Sequence, residues 1–142
     1  MIQITITNTG RAIRLEAKGH AQTADPGYDL ICAGVSALIY GYAGAVDTIP
    51  RAKTTGGVID VGRKDGYALI EVSCKDQKTY KRVRAFLEPV YHGLRVLHKS
   101  APTAISIQVV EPKGKTYRVT HDTGQSTLRM PTRRAKGGLY DR

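Results

Sequence analysis

The sequence has few of the residues on which several classes of protein depend. Its two cysteines, Cys32 and Cys74, are too few for a disulfide framework, so each is expected to be a free thiol. No apolar segment opens the chain, and no apolar run approaches membrane-spanning length, so we expect a cytoplasmic protein with no membrane contact. Clustered aromatic residues and recognised RNA-binding motifs are also missing.

The histidines and glycine pairs do not form ligand-binding motifs. His92 and His98 fall in a predicted helix and His121 near the C-terminus, and none pairs with another ligand type at the spacing of a metal site. The glycine pairs at 56–57 and 137–138 lack the lysine, the serine and the helix start of a phosphate-binding loop. We therefore expect no metal and no cofactor.

Basic residues are in excess, with 22 Lys and Arg against 12 Asp and Glu and a formal net charge of +10. Residues 111–142 carry eight of these cations against three acidic residues, which favours contact with a polyanion such as a ribosome. We predict a folded domain over residues 1–110 and an extended or partly disordered basic extension over residues 111–142. A short alternation at residues 117–120 leaves an added strand as the alternative.

Hydrophobic patterning predicts an α+β fold, in which two helices pack on a small mixed or antiparallel sheet of about five strands. The predicted strands cover residues 2–7, 13–18, 58–61, 67–73 and 103–110. Helical spacing of apolar residues predicts one helix from Asp29 to about Asp47 and a second over residues 80–97. Pro89 predicts a kink in the second helix or its division into two.

The segment GHAQTADPGYDLICAGVSAL, residues 19–38, combines a polar loop with the start of the first helix. Cys32 falls in the first helical turn, a position that favours the thiolate form of a cysteine. His20, between the small residues Gly19 and Ala21, is a candidate base for that thiol, and the two form a candidate catalytic dyad. The alternative for Cys32 is a small buried apolar residue, and for His20 an ordinary loop histidine.

This segment resembles the signature of the ribosomal-processing cysteine proteases, the Prp family. The resemblance is carried by Gly19-His20-Ala21, Gly27, Asp29, Cys32 and Val35-Ser36-Ala37-Leu38. It implies a cysteine endopeptidase in which Cys32 is the nucleophile and His20 the general base. It also implies a protein substrate with an apolar N-terminal leader, a homodimer, and a histidine-bearing loop that substrate binding orders.

Two of the three supporting residues, Asp29 and Ser36, have two possible roles each, and the third is Gly19. Asp29 either orients His20 as a third catalytic residue or caps the helix. The hydroxyl of Ser36 contacts the thiolate or the substrate, or else serves the packing of the helix. Gly19 leaves the imidazole unshielded, and Cys74 is expected to be structural. We expect main-chain amides at the start of the helix to stabilise the oxyanion.

The sequence allows two kinds of substrate and two functional classes. The family resemblance is compatible with a large-subunit ribosomal protein as substrate, and equally with a phage capsid or scaffold precursor. The rival class is a non-catalytic RNA- or ribosome-binding module, which the positive charge favours.

Overall fold

A computed structural model describes residues 1–25, 27–50, 52–60, 66–112 and 116–118 of the chain. It contains six strands and two helices. In chain order these are β1 (Ile2–Asn8), β2 (Ala12–Lys18), α1 (Leu30–Asp47), β3 (Ala52–Asp60), β4 (Tyr67–Cys74), α2 (Gln77–Ser100), β5 (Ile105–Val110) and β6 (Thr116–Arg118).

The strands form one mixed sheet in the order β3-β4-β2-β1-β5-β6. Only β1 and β5 pair in parallel among the described strands, and the other neighbours are antiparallel. Alternate apolar residues of β1, β2, β4 and β5 point to one face, where they pack under both helices and form the core. The predicted α+β fold is confirmed, with one strand more than the five expected.

Two strand boundaries differ from the prediction. β3 begins at Ala52, well before residue 58, because the backbone continues through the glycine pair 56–57 with a shift of register between Thr55 and Val58. β6 pairs with β5 through Val110 and Thr116, so part of the chain beyond residue 110 belongs to the sheet. The Asp-Gly pair at residues 65–66 predicts a turn over residues 63–66 between the predicted strands 58–61 and 67–73. Of this turn the structure describes Gly66, and the segment 119–142 lies outside the described residues.

α1 contributes Val35, Ile39, Tyr42 and Val46 to the core, and Ile31 and Leu38 are only partly buried. Within the described part of the chain it is the one helix whose length and composition would allow it to cross a membrane, with a mean hydropathy of 1.5. The expectation that no apolar run approaches that length was therefore wrong, although the core helix of a globular protein meets the same criterion.

α2 is a single helix of 24 residues that continues through Pro89. Its buried face contains the apolar residues that the spacing predicted, with Leu97 partly buried. The predicted division into two helices is not observed: α2 is continuous, and Pro89 lies on its exposed face. α2 crosses α1 closely: a Cβ at Gly34 would lie 3.0 Å from Leu97 Cδ1.

The sheet has two ends that differ in what they carry. At the loop end, β2 ends at Lys18, β4 begins at Tyr67, and the long loop to α1 departs. At the turn end, β1 turns into β2, β4 ends at Cys74, and α2 begins. The residues of the conspicuous segment 19–38 therefore meet at the loop end, at the start of α1.

Candidate active site

The loop between β2 and α1 is fixed at its first residue by close backbone contacts. Gly19 has a φ of +89°, and a Cβ there would lie 2.6 Å from the carbonyl oxygen of Met1. Its N–H donates a hydrogen bond of 2.8 Å to the carbonyl of Gly66. Only glycine satisfies both the left-handed backbone and the close approach, so Gly19 supports the site through the backbone.

Asp29 is the N-cap of α1 and also holds the loop. One carboxylate oxygen accepts from the amides of Ile31 and Cys32, each at 3.0 Å, and from the Thr23 hydroxyl at 2.8 Å. The other oxygen accepts from the Thr23 amide at 2.8 Å. These bonds show that Asp29 caps α1.

The electrostatics of Asp29 follow from these contacts. Burial raises the pKa of its carboxyl group, but the hydrogen bonds from Cys32, Thr23 and Ile31 favour the charged form and lower the pKa from its ordinary value of 3.8 to about 2. The carboxylate is therefore ionised at neutral pH, and its charge is balanced by donors of the loop and of the first helical turn.

Cys32 is the third residue of α1 and is half-buried. Its Sγ accepts a hydrogen bond of 3.2 Å from the Ala21 amide, across the mouth of the loop. Because Ala21 directly follows His20, this bond brings the histidine-bearing segment to the sulfur. The structure thus places the backbone next to His20 against the sulfur of Cys32.

The imidazole of His20 is exposed and lies over Gly66, the residue before β4. A Cβ at Gly66 would lie 2.9 Å from His20 Cε1, 3.0 Å from His20 Nε2 and 2.6 Å from the Gly19 carbonyl oxygen. Gly66 itself has a φ of +48°. The bare backbone of Gly66 therefore forms one wall of the position that the imidazole occupies.

The other predicted residues lie around this site or away from it. Ser36 is exposed, one helical turn after Cys32 on the same side of α1. Cys74 lies at the turn end, where burial and then the Asp76 carboxylate raise the pKa of its thiol. His98 is buried, with Nδ1 2.9 Å from the Ile105 carbonyl, whereas His92 is exposed and His121 lies outside the described residues.

Two features of the site were missed by sequence reasoning. The amide and the hydroxyl of Thr23 both donate to the Asp29 carboxylate. The sequence could have indicated this contact, because Thr23 lies six residues before the predicted cap and threonine hydroxyls readily bond nearby polar groups. Gly66 was recognised only as a turn residue. Its contact with His20 joins segments more than 40 residues apart, and no local pattern encodes it.

A half-buried thiol at the start of a helix, beside a histidine-bearing loop, is the arrangement that cysteine peptidases use to generate a nucleophile. The model of the cysteine protease Prp family matches residues 1–106. The chain belongs to this family and is a cysteine protease that acts on a protein substrate. The rival class suggested by the positive charge, a non-catalytic RNA- or ribosome-binding module, is therefore wrong.

Individual relatives agree with this assignment. The ribosomal processing cysteine protease Prp of Bacillus subtilis is 28% identical over 102 residues, covering 70% of this chain and 88% of the relative. A protein of Streptococcus mutans whose crystal structure is known is 25% identical to this chain, with a TM-score of 0.63. The match covers 78% of this chain and 95% of the Streptococcus mutans chain.

A third relative shares the fold at lower identity. The essential ribosomal processing protease Prp of S. aureus, solved with a covalently linked product peptide, is 22% identical with a TM-score of 0.62. The match covers 77% of this chain and 99% of that one.

Removing the Asp29 carboxylate should destabilise the protein and loosen the loop. We expect Asp29→Ala to lower the free energy of unfolding by about 1–2 kcal/mol, the usual cost of losing an N-cap. Asp29→Asn should retain part of this stability because an amide oxygen also caps a helix. Urea denaturation measures both, with Asp47→Asn, an exposed carboxylate at the other end of α1, as the control.

The same variants give a pH test. Because the folded pKa of Asp29 lies below its ordinary value, its charge stabilises the fold above about pH 4, and this stabilisation disappears as the pH falls towards about 2. The stability advantage of the wild type over Asp29→Asn should therefore shrink across that interval. An advantage that stays constant from neutral pH to pH 2 would contradict the assigned role.

Proposed function

We propose that this protease is an endopeptidase that removes an N-terminal leader from a large-subunit ribosomal protein, with Cys32 as nucleophile and His20 as general base. The observation that carries the assignment is the 3.2 Å hydrogen bond from the Ala21 amide to Cys32 Sγ, which holds the histidine-bearing loop against the thiol. The substrate class is supported by the relatives, which are named as ribosomal processing proteases.

The reaction follows the usual course for a thiol nucleophile. The His20 imidazole takes the proton from Cys32, and the thiolate forms a C–S bond with the carbonyl carbon of the scissile peptide. The imidazolium then gives that proton to the leaving amine as the C–N bond breaks. Water hydrolyses the resulting thioester, which releases the leader acid and restores the thiol.

We propose an oxyanion donor other than the amides of Ile31 and Cys32. The amides of Ile31 and Cys32, at the start of α1, both donate to the Asp29 carboxylate. The amide of Ala21 points instead at the reacting sulfur. Within our proposal, the Ala21 amide therefore supplies a donor to the oxyanion, which forms on the carbonyl carbon that is bonded to that sulfur.

Two exposed apolar side chains adjoin the cap of α1 in the sequence and suit an apolar leader. Tyr28 and Leu30, on either side of the buried Asp29, are 81% and 82% exposed. Large apolar side chains this exposed are unusual outside binding sites when they lie together. In our proposal, they contact the leader residues next to the cleaved bond, while the exposed His20 is accessible to the incoming peptide.

Replacing the nucleophile should abolish cleavage without unfolding the protein. We expect Cys32→Ser to reduce cleavage of a leader-bearing ribosomal protein by at least ~10³-fold, since a serine hydroxyl is a far weaker nucleophile than a thiolate here. Cys74→Ser, the matched control at the turn end, should retain most activity. Mass spectrometry of the product gives the cleavage rate and the cleaved bond, and thermal melting checks the fold.

Thiol labelling tests the same assignment without a substrate. Iodoacetamide at neutral pH should label Cys32 faster than Cys74, because burial and Asp76 disfavour the thiolate at Cys74. Faster labelling of Cys74, or wild-type cleavage by Cys32→Ser, would refute Cys32 as the nucleophile. Cleavage of a leader only from non-ribosomal precursors would leave the chemistry intact and refute the ribosomal substrate.

Gly66 gives a test of the position of His20. Gly66→Ala places a methyl group against His20 and the Gly19 carbonyl, so we expect kcat to fall at least ~10-fold while the thiol of Cys32 remains present. Gly41→Ala adds the same methyl group to α1, where no atom lies within 4 Å, and should leave cleavage unchanged. Equal kcat values for both variants would contradict a role for Gly66 in positioning His20.

A further inference from the structure

Five basic side chains gather at the turn end of the sheet, away from the catalytic loop. Arg11 lies in the turn between β1 and β2, Lys75 lies between β4 and α2, and Lys78, Lys81 and Arg82 lie in the first two turns of α2. All five are exposed. We call this group the basic end.

Hydrogen bonds hold the parts of the basic end together. The Cys74 amide donates to the Arg11 carbonyl at 3.0 Å, and the Gln77 side-chain amide donates to the Gly10 carbonyl at 3.1 Å. These bonds fix the β1–β2 turn against the start of α2. Arg11 and the helix therefore belong to one rigid surface.

The three helical cations share one face of α2. Lys78, Lys81 and Arg82 are spaced i, i+3 and i+4, so their side chains are neighbours on the side opposite the buried residues. Like charges at these spacings repel each other by a few tenths of a kcal/mol per pair. The positive end of the helix dipole adds to their potential.

Among the described residues, Asp76 is the one carboxylate within the sequence of this surface at the start of α2, against five cations. In the described part of the chain, the ion pairs join Arg14 to Glu16 and Glu71, and Lys18 to Glu16, none of which belongs to the basic end. The nearest carboxylate along the chain, Asp76, is the N-cap of α2 and accepts from the Thr79 amide at 2.7 Å. The positive potential of the basic end is consequently exposed to a partner.

The composition of the surface distinguishes between kinds of partner. Protein interfaces are centred on aromatic or other large apolar residues and are depleted in lysine. Nucleic-acid interfaces are more polar and much more positively charged. Ala85 and Phe86 are the exposed residues that continue the helical face, and Phe86 is the one exposed large apolar side chain beside the five cations among the described residues. This composition fits a phosphate backbone.

We propose that the basic end binds the phosphate backbone of RNA and docks the protease on an RNA-containing assembly while the loop end cleaves its substrate. The choice of RNA over DNA rests on the proposed ribosomal substrate. The two ends are separated by the length of the seven-residue strands β1 and β2, about 20 Å, so RNA and peptide occupy different surfaces.

The test removes charge from the helical face and keeps its shape. The triple variant Lys78→Gln, Lys81→Gln, Arg82→Gln should bind a fluorescein-labelled single-stranded RNA at least ~10-fold more weakly by anisotropy. The slope of log K against log salt should become shallower by about 2, as expected when three phosphate contacts are lost. The triple variant Lys78→Arg, Lys81→Arg, Arg82→Lys keeps the charge and should bind like the wild type.

Single substitutions on the same helix provide the matched comparison. Lys81→Gln should weaken RNA binding, whereas Lys99→Gln, which removes the same charge at the other end of α2, should not. Equal losses in these two variants, or an unchanged salt slope in the glutamine triple variant, would overturn the basic end as the site. Equally tight binding of poly-glutamate under the same conditions would assign it to an acidic protein.

Two further measurements separate this proposal from the protease assignment. Cleavage of a short leader peptide should be the same in the wild type and in the glutamine triple variant, because the substitutions lie at the opposite end of the sheet from Cys32. If the wild type fails to cleave that peptide while RNA binding behaves as expected, the proposed substrate is wrong and the docking surface stands. Ultraviolet cross-linking in expressing cells should recover RNA with the wild type, and recovery of DNA alone would overturn the choice of RNA.

Discussion

The carboxylate of Asp29 is the constraint on which the catalytic end of this protein depends. It satisfies amides that the first turn of α1 would otherwise leave without partners, and it holds Thr23 of the preceding loop with the same two oxygens. The position of Cys32 on the helix and the path of the loop past it are therefore set by one side chain. A residue that only capped the start of α1 would fix the thiol but would not hold the histidine-bearing loop.

The remainder of the site is built largely from backbone. Gly19 approaches the Met1 carbonyl, Gly66 approaches the Gly19 carbonyl and the His20 ring, and the Ala21 amide reaches the sulfur. Side chains would separate these strands and loops by the width of a methyl group or more. The lack of side chains at the two glycines thus lets the strand ends and the histidine-bearing loop pack closely at the end of the sheet where α1 begins.

Local patterns predicted the parts of the structure that local interactions determine. The cap at Asp29, the helix that carries Cys32 and the hairpin of β1 and β2 each follow from residues close together in the sequence. The contact of His20 with Gly66 and the continuation of β3 through two glycines depend on neighbouring strands, so no short window contains them. β6 appeared only as a brief alternation, because its pairing energy comes from the edge of β5.

The parallel pairing of β1 with β5 also makes the sheet depend on a contact between distant parts of the sequence. The partner of β1 on one side is the fifth strand along the chain, and Ile2 donates to the carbonyl of Ala104. Until β5 is in place, that edge of β1 has unpaired N–H and C=O groups. Completing the sheet therefore closes a loop that contains most of the domain, and because such long-range contacts form slowly, we expect this pairing to limit the rate at which the protein folds.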